Sequence, residues 1–220
     1  MTRDFLIVLQ HYDRFLAGLA NTLWLSGATL ILASLAGCVV AAAMLSPIKA
    51  VRVLVGLIVD GMRTIPFLLL VYLVYYGLPQ FGIQLDRWSS GLSALVIYHT
   101  AYISEIVRSA WKNLSAEQIE AGRAHGFAGF GLFRRIILPQ LFYASAPVIG
   151  NQAVQILKDT AFLMIITVPE LTFAASSVQA TYFVPFASFI FAMLLYWMVT
   201  LAIEAGVRSV EAAAEVRRAS

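Results

Sequence analysis

The chain has 220 residues, 60% of them hydrophobic, and a mean hydropathy of +0.82, well above the roughly 45–50% apolar share of a soluble globular domain. Its 15 Lys and Arg exceed its 12 Asp and Glu only slightly, and no basic block alternates with aromatics, which argues against nucleic-acid binding. The single cysteine, Cys38, excludes an internal disulfide and a cysteine-rich metal site and is expected to be a small buried apolar residue.

Residues 1–15 carry Arg3, Asp4, His11, Asp13 and Arg14 and read as a polar segment without a domain of its own. From about Leu16 to Leu45 the chain is apolar with scattered small residues, longer than the about 20 residues needed to cross a hydrocarbon core. Within it, Leu35-Ala36-Gly37-Cys38 has the form of a lipoprotein cleavage site. A signal peptide ends its short apolar run at the cleavage point, whereas this run continues through Val39 and Val40 to Leu45, so a first membrane span is the better reading.

A second span is expected from about Val53 to Leu78, interrupted by Asp60, Gly61, Arg63 and Pro66. Pro79 to Gly91, with Asp86, Arg87 and Trp88, reads as a short outer loop. A third span runs from about Leu92 to Trp111 and contains His99, Glu105 and Arg108. A fourth begins near Ile136, is broken by Pro139 and Pro147, and ends at Lys158-Asp159. Ala161 to Val168 is too short to cross, so Thr160 to Pro185 is expected to be re-entrant or partly buried. The last span covers about Phe186 to Gly206, and 207–220 form a charged helical tail.

Five spans place the two ends on opposite sides. One side then carries Lys49, Arg52, Lys112, Arg123, Arg134, Arg135, Arg208, Arg217 and Arg218, against Arg3, Arg14, Arg87 and Lys158 on the other. The positive-inside rule puts the richer side, with the C-terminus, in the cytoplasm and the N-terminus outside.

The loop between the third and fourth spans, about 112–139, carries the most specific signal. Ser115 can cap a short helix through His125, with Glu117 in its first turn and Gly126 as its stop. So short a helix is marginal alone and needs support. Glu120-Ala121-Gly122, three residues, Gly126, nine residues, then Ile136, Leu138 and Pro139 resemble the EAA motif of ABC-importer permeases. Tyr102, Glu105, Arg108, Gln118, Gln140, Asn151, Gln152 and Lys158-Asp159-Thr160 extend the resemblance towards the polar-amino-acid branch.

The resemblance implies an all-α permease of five transmembrane helices, covering about 16–206, in the bacterial inner membrane. Its cytoplasmic loop would dock on an ATPase through Gln118, Glu120, Ala121, Gly122, Gly126 and Pro139. Two ATPase copies, a second permease, identical or homologous, and an extracytoplasmic amino-acid-binding protein are the implied partners besides the bilayer. ATP and Mg would be bound by the ATPases, and this chain would hold no cofactor and catalyse nothing. That agrees with its lysines, none of which lies in a Walker-type phosphate loop. Three departures stand out: Gly122 replaces an alanine, Glu117 a glycine, and His125 an apolar residue.

Charged residues inside spans are functional candidates because each costs about 2.5–3.5 kcal/mol at the bilayer centre. Arg63 lies eleven residues beyond Arg52, about 16 Å along a helix and half of a 30 Å core. It can take a carboxylate bidentately. Asp159, with Gln155 one turn away, can take an ammonium group, so the pair suggests a site for a polar amino acid or a related zwitterion such as an opine. The alternative is that Arg63 pairs with Asp60 and that Lys158-Asp159 anchors the helix at the interface. Asn21 and Thr22 resemble the polar pair that opens the family's first span and join the substrate-site candidates. Glu105 and Arg108 read as an ion pair, and His99 as hydrogen-bonded within the bundle rather than a metal ligand. No nucleophile elbow, paired aspartates or HExxH motif supports an intramembrane enzyme, and no filter loop supports a channel.

Overall fold

The computed structural model describes residues 2–219, and among them no strand occurs. The helices are α1 (Thr2–Gln10), α2 (Tyr12–Met44), α3 (Lys49–Thr64), α4 (Phe67–Tyr72), α5 (Arg87–Lys112), α6 (Ala116–Ala124), α7 (Gly129–Leu132), α8 (Leu138–Asp159), α9 (Leu171–Tyr182) and α10 (Pro185–Ala219). The fold is an all-helical bundle around α5, which packs against α2, α3, α4 and α8, while α10 closes the other side against α8 and α9.

The N-terminal segment is more ordered than its polarity suggests. His11 Nδ1 donates to the carbonyl of Ile7 at 2.9 Å, which leaves Nε2 to accept from the Tyr182 hydroxyl at 2.6 Å. That bond ties the junction of α1 and α2 to the end of α9. Helix α2 therefore starts at Tyr12 rather than Leu16, and its 33 residues span about 50 Å at 1.5 Å per residue. Cys38, expected to be buried, is exposed on α2 beside exposed Leu35 and Val39. In a lipid solvent an outward apolar face needs no burial.

The second expected span is not one helix. Pro66 lacks an amide proton and biases the residue before it away from the helical region; Ile65 is extended at ψ 131°, and the chain bends by 103° between α3 and the segment Phe67–Phe81. Two π turns, Leu73–Gly77 and Phe133–Ile137, lie just ahead of Pro79 and Pro139, where a wider turn relieves the clash between the proline ring and the preceding carbonyls. The outer loop is also shorter than expected. Asp86 caps α5 by accepting from Ser89 N at 3.1 Å and Trp88 N at 3.2 Å, so the helix begins at Arg87.

Helix α8 continues as a 3-10 turn, Thr160–Ile166, and Thr167 then takes a left-handed conformation (φ 60°) that turns the chain into α9. The 12 residues of α9 reach only about 18 Å, which fits a partly buried segment too short to cross. At the α8–α10 crossing the helices meet through Gly150, where a Cβ would lie 2.1 Å from Val207 Cγ2. Helices α2 and α10, the latter through Val210, are each long and apolar enough to cross a membrane, and the bent pairs α3 with Phe67–Phe81 and Gly129–Ile166 with α9 qualify jointly. Helix α5, with 26 residues, has the length but carries charge.

Candidate solute cleft and coupling loop

Ser115 caps α6 as its sequence position suggests, its Oγ accepting from Gln118 N at 3.4 Å. The helix stops at Ala124, one residue earlier than expected, with His125 as its C-cap and the His125 Nδ1 bonded to the Ala121 carbonyl at 2.8 Å. Gly126 follows at φ 84°, a conformation that only glycine adopts freely. The carbonyls at the helix end are satisfied by Gly126 N to Arg123 O and Phe127 N to Gly122 O.

The loop residues divide by direction. Gln118, Glu120 and Ala121 are exposed, whereas Gly122 is buried. A Cβ on Gly122 would come within 2.9 Å of Leu132 Cδ1 and 3.3 Å of Ile136. The short helix thus has support from its own chain, and the glycine in place of alanine is what lets Leu132 and Ile136 approach. Gln118, Ala121, His125, Arg135 and Pro139 line a shallow groove beside α6, and the Arg135 guanidinium lies over the Phe127 ring at 5.6 Å.

A larger cleft of about 490 Å³ opens between the end of α3, α5 and α8, with Arg63, Tyr102, Glu105, Asn113, Val148 and Gln152 among its walls. Helical spacing explains part of the set: Tyr102 and Glu105 lie about one turn apart on α5, and Asn113 is its C-cap. The Arg63 guanidinium sits 5.4 Å above the Tyr102 ring. Its contact with Asp60 is only 4.0 Å and both side chains are open, 36% and 71% exposed, so pairing leaves Arg63 accessible. Glu105 is held by Arg108, whose Nε donates at 2.7 Å and whose Nη2 bonds the second oxygen.

Asp159 does not line this cleft. It is buried at the far end of α8, where it accepts from Gln155 at 3.0 Å and faces His99 Nε2 at 3.5 Å. The link to the cleft is Gln152, whose Nε2 lies 2.7 Å from His99 Nδ1. Arg63 and Asp159 are therefore separated by a polar chain and do not form one pocket. Among the described residues, no three His, Cys, Asp or Glu side chains come together.

Asn21 and Thr22 have another role in this structure. Asn21 Nδ2 donates to Pro169 O at 2.8 Å, and Thr22 Oγ1, fully buried, accepts from Leu171 N at 3.1 Å. Through Asn21 Nδ2 and Thr22 Oγ1 they pin the turn into α9, and neither residue lines the Arg63 cleft. Glu170, also fully buried, completes that turn by accepting from Thr172 N, Phe173 N and the Tyr196 hydroxyl. Sequence reasoning passed over Glu170 because glutamate is not a common N-cap. Gln152 stood out only through resemblance, because nothing in spacing distinguishes it from neighbouring amides.

Known proteins resemble this chain in sequence and fold. A probable glutamine ABC transporter permease, GlnM of Bacillus subtilis, is 31% identical over 93% of this chain and 95% of its own length. The nopaline transport system permease NocM of Agrobacterium fabrum is 31% identical over 91% and 87%. A solved amino acid ABC transporter with histidines superposes with a TM-score of 0.89 at 30% identity, over 97% of this chain and 100% of that one. The methionine transporter MetNI, in an inward-facing form, has the same fold at TM-score 0.72 and 19% identity. The family of binding-protein-dependent transport system inner membrane components matches residues 16–215, and the chain belongs to it as a multi-pass inner-membrane permease of the ABC transporters.

Proposed function

We propose that this permease carries a polar amino acid into the cytoplasm through the cleft at Arg63, driven by ATP hydrolysis in two ATPase copies docked on α6. The observation that carries the solute class is the open Arg63 guanidinium beside Tyr102 and Gln152, a donor suited to a carboxylate within a cleft whose other walls are partly polar. The names of the relatives support an amino acid, and an opine less so. ATP and Mg belong to the ATPases. The exposed Gln118, Glu120 and Ala121 support α6 as the docking surface, with Gly126 ending the helix, Gly122 its seat and Pro139 in the wall of the groove beside it.

A second permease, identical or homologous, and an outer amino-acid-binding protein complete the assembly. Asp60 and Arg63 support the second permease: exposed charges within a span need a protein or water neighbour. The orientation rests on the distribution of basic residues, with 1–15 outside, 16–206 in the membrane and 207–220 in the cytoplasm. ATPase closure would move the two loops and rock the spans about the cleft. Asp159 and Gln155 then lie on the outer approach rather than at the cleft.

The test is uptake of labelled amino acids by the assembled complex in vesicles, with ATP hydrolysis measured alongside. Arg63→Ala should lower uptake at least tenfold, the loss of one charged hydrogen-bonding partner of about 1.5–3 kcal/mol, while ATP hydrolysis continues. Unchanged uptake would remove Arg63 from the solute path.

A further inference from the structure

We infer that Gln152, held by His99, supplies the ammonium-side contact of the cleft, in place of Asp159. This rests on the proposed reading of the cleft as an amino-acid path. The argument begins with donor and acceptor accounting. A neutral imidazole has one donor and one acceptor nitrogen, and an amide nitrogen can only donate. With Gln152 Nε2 at 2.7 Å, His99 Nδ1 is the acceptor and the ring proton resides on Nε2. That nitrogen is fully buried, has no hydrogen-bond partner, and faces Asp159 Oδ2 at 3.5 Å.

Two consequences follow for Gln152. One of its two amide N–H groups is committed to the ring, and its carbonyl oxygen is the acceptor left for a solute. The amide is also prevented from flipping, because a carbonyl turned towards Nδ1 would set two acceptors against each other unless the ring proton moved away from Asp159. The cleft thus offers an accessible donor on α3, the Arg63 guanidinium, and a held acceptor on α8, the Gln152 carbonyl. A zwitterion has the opposite pair.

Other acceptors at the cleft are less suited. Both oxygens of Glu105 are engaged by Arg108, and the Tyr102 hydroxyl, which donates to the Arg63 carbonyl at 3.2 Å, accepts from the Tyr98 hydroxyl at 3.2 Å. Asp159 is 4% exposed and lies behind His99, outside the cleft wall. His99 is accordingly a positioning residue: it touches Gln152, not the solute.

The experiment measures binding of L-glutamine, L-arginine and their α-hydroxy counterparts to the purified permease–ATPase complex without ATP or binding protein. Gln152→Met, nearly isosteric, should weaken binding of the amino acid that wild type takes up by tenfold or more and leave its α-hydroxy counterpart within twofold. His99→Leu should produce a smaller loss of the same selectivity, and His99→Gln, which keeps an acceptor for the amide, should restore it. Equal weakening of both ligands by Gln152→Met, or no weakening, overturns the inference. If Arg63→Ala abolishes binding while Gln152→Met does not, only this assignment fails. If neither variant alters binding, the reading of the cleft fails with it.

Discussion

Two polar clusters in this bundle contain similar residue types and do opposite things. Around the turn into α9, Asn21, Thr22, Glu170, Thr172 and Tyr196 bond to one another or to backbone, and Thr22 and Glu170 are fully shielded. At the cleft, Arg63 stays 36% exposed with a loose partner, and Gln152 keeps its carbonyl free. A membrane interior penalises an unsatisfied polar group, so the first cluster is scaffold. The second is tolerable only where water, a solute or another subunit reaches it, as the proposed solute path requires.

The contrast can be broken by mutation. Glu170→Ala should be the most damaging change, costing about 3 kcal/mol of stability, because it strips the α9 cap from two part-buried amides and removes one partner of the Tyr196 hydroxyl; thermal unfolding of the purified permease reads this directly. Thr22→Val should cost about 1–2 kcal/mol by orphaning the Leu171 amide, and Thr22→Ser should recover most of it. Arg63→Ala, by comparison, should shift stability by no more than about 0.5 kcal/mol, as at an open surface position. A large loss there would make Arg63 scaffold as well.

The smallest expected effect concerns Asp86, outside the spans. Hydrogen bonding to Ser89 holds its carboxyl below the ordinary value of 3.8. A depressed folded-state value means the cap's contribution is present above that ordinary value and is lost as pH falls through the lower folded one. Amide exchange at Trp88 and Ser89 should therefore be flat at neutral pH once corrected for intrinsic rates, and should lose protection only in strong acid. Asp86→Asn should remove that acid dependence.

Helix α6 and its limits were legible in the sequence because they depend on neighbours a few residues apart: Ser115 reaches Gln118 N, and Gly126 supplies its own backbone freedom. The break at Ile65-Pro66 was legible as a proline, but its angle was not, since packing of α4 on α5 decides how far the chain turns. The same limit applied to Asn21 and Thr22. Their polarity was visible, whereas their partners at Pro169 and Leu171 lie nearly 150 residues away.

By itself the sequence determined an apolar all-helical membrane chain with a basic face and a loop of strict spacing, because composition and short-range periodicity are properties of the chain alone. Only the tertiary structure decided that Gly122 seats α6 on its own chain, that Arg63 and Asp159 belong to different surroundings, and that Gln152 and His99 join them. Such pairings depend on which helix faces cross, and a polar residue's role follows from whether its hydrogen bonds are already satisfied there.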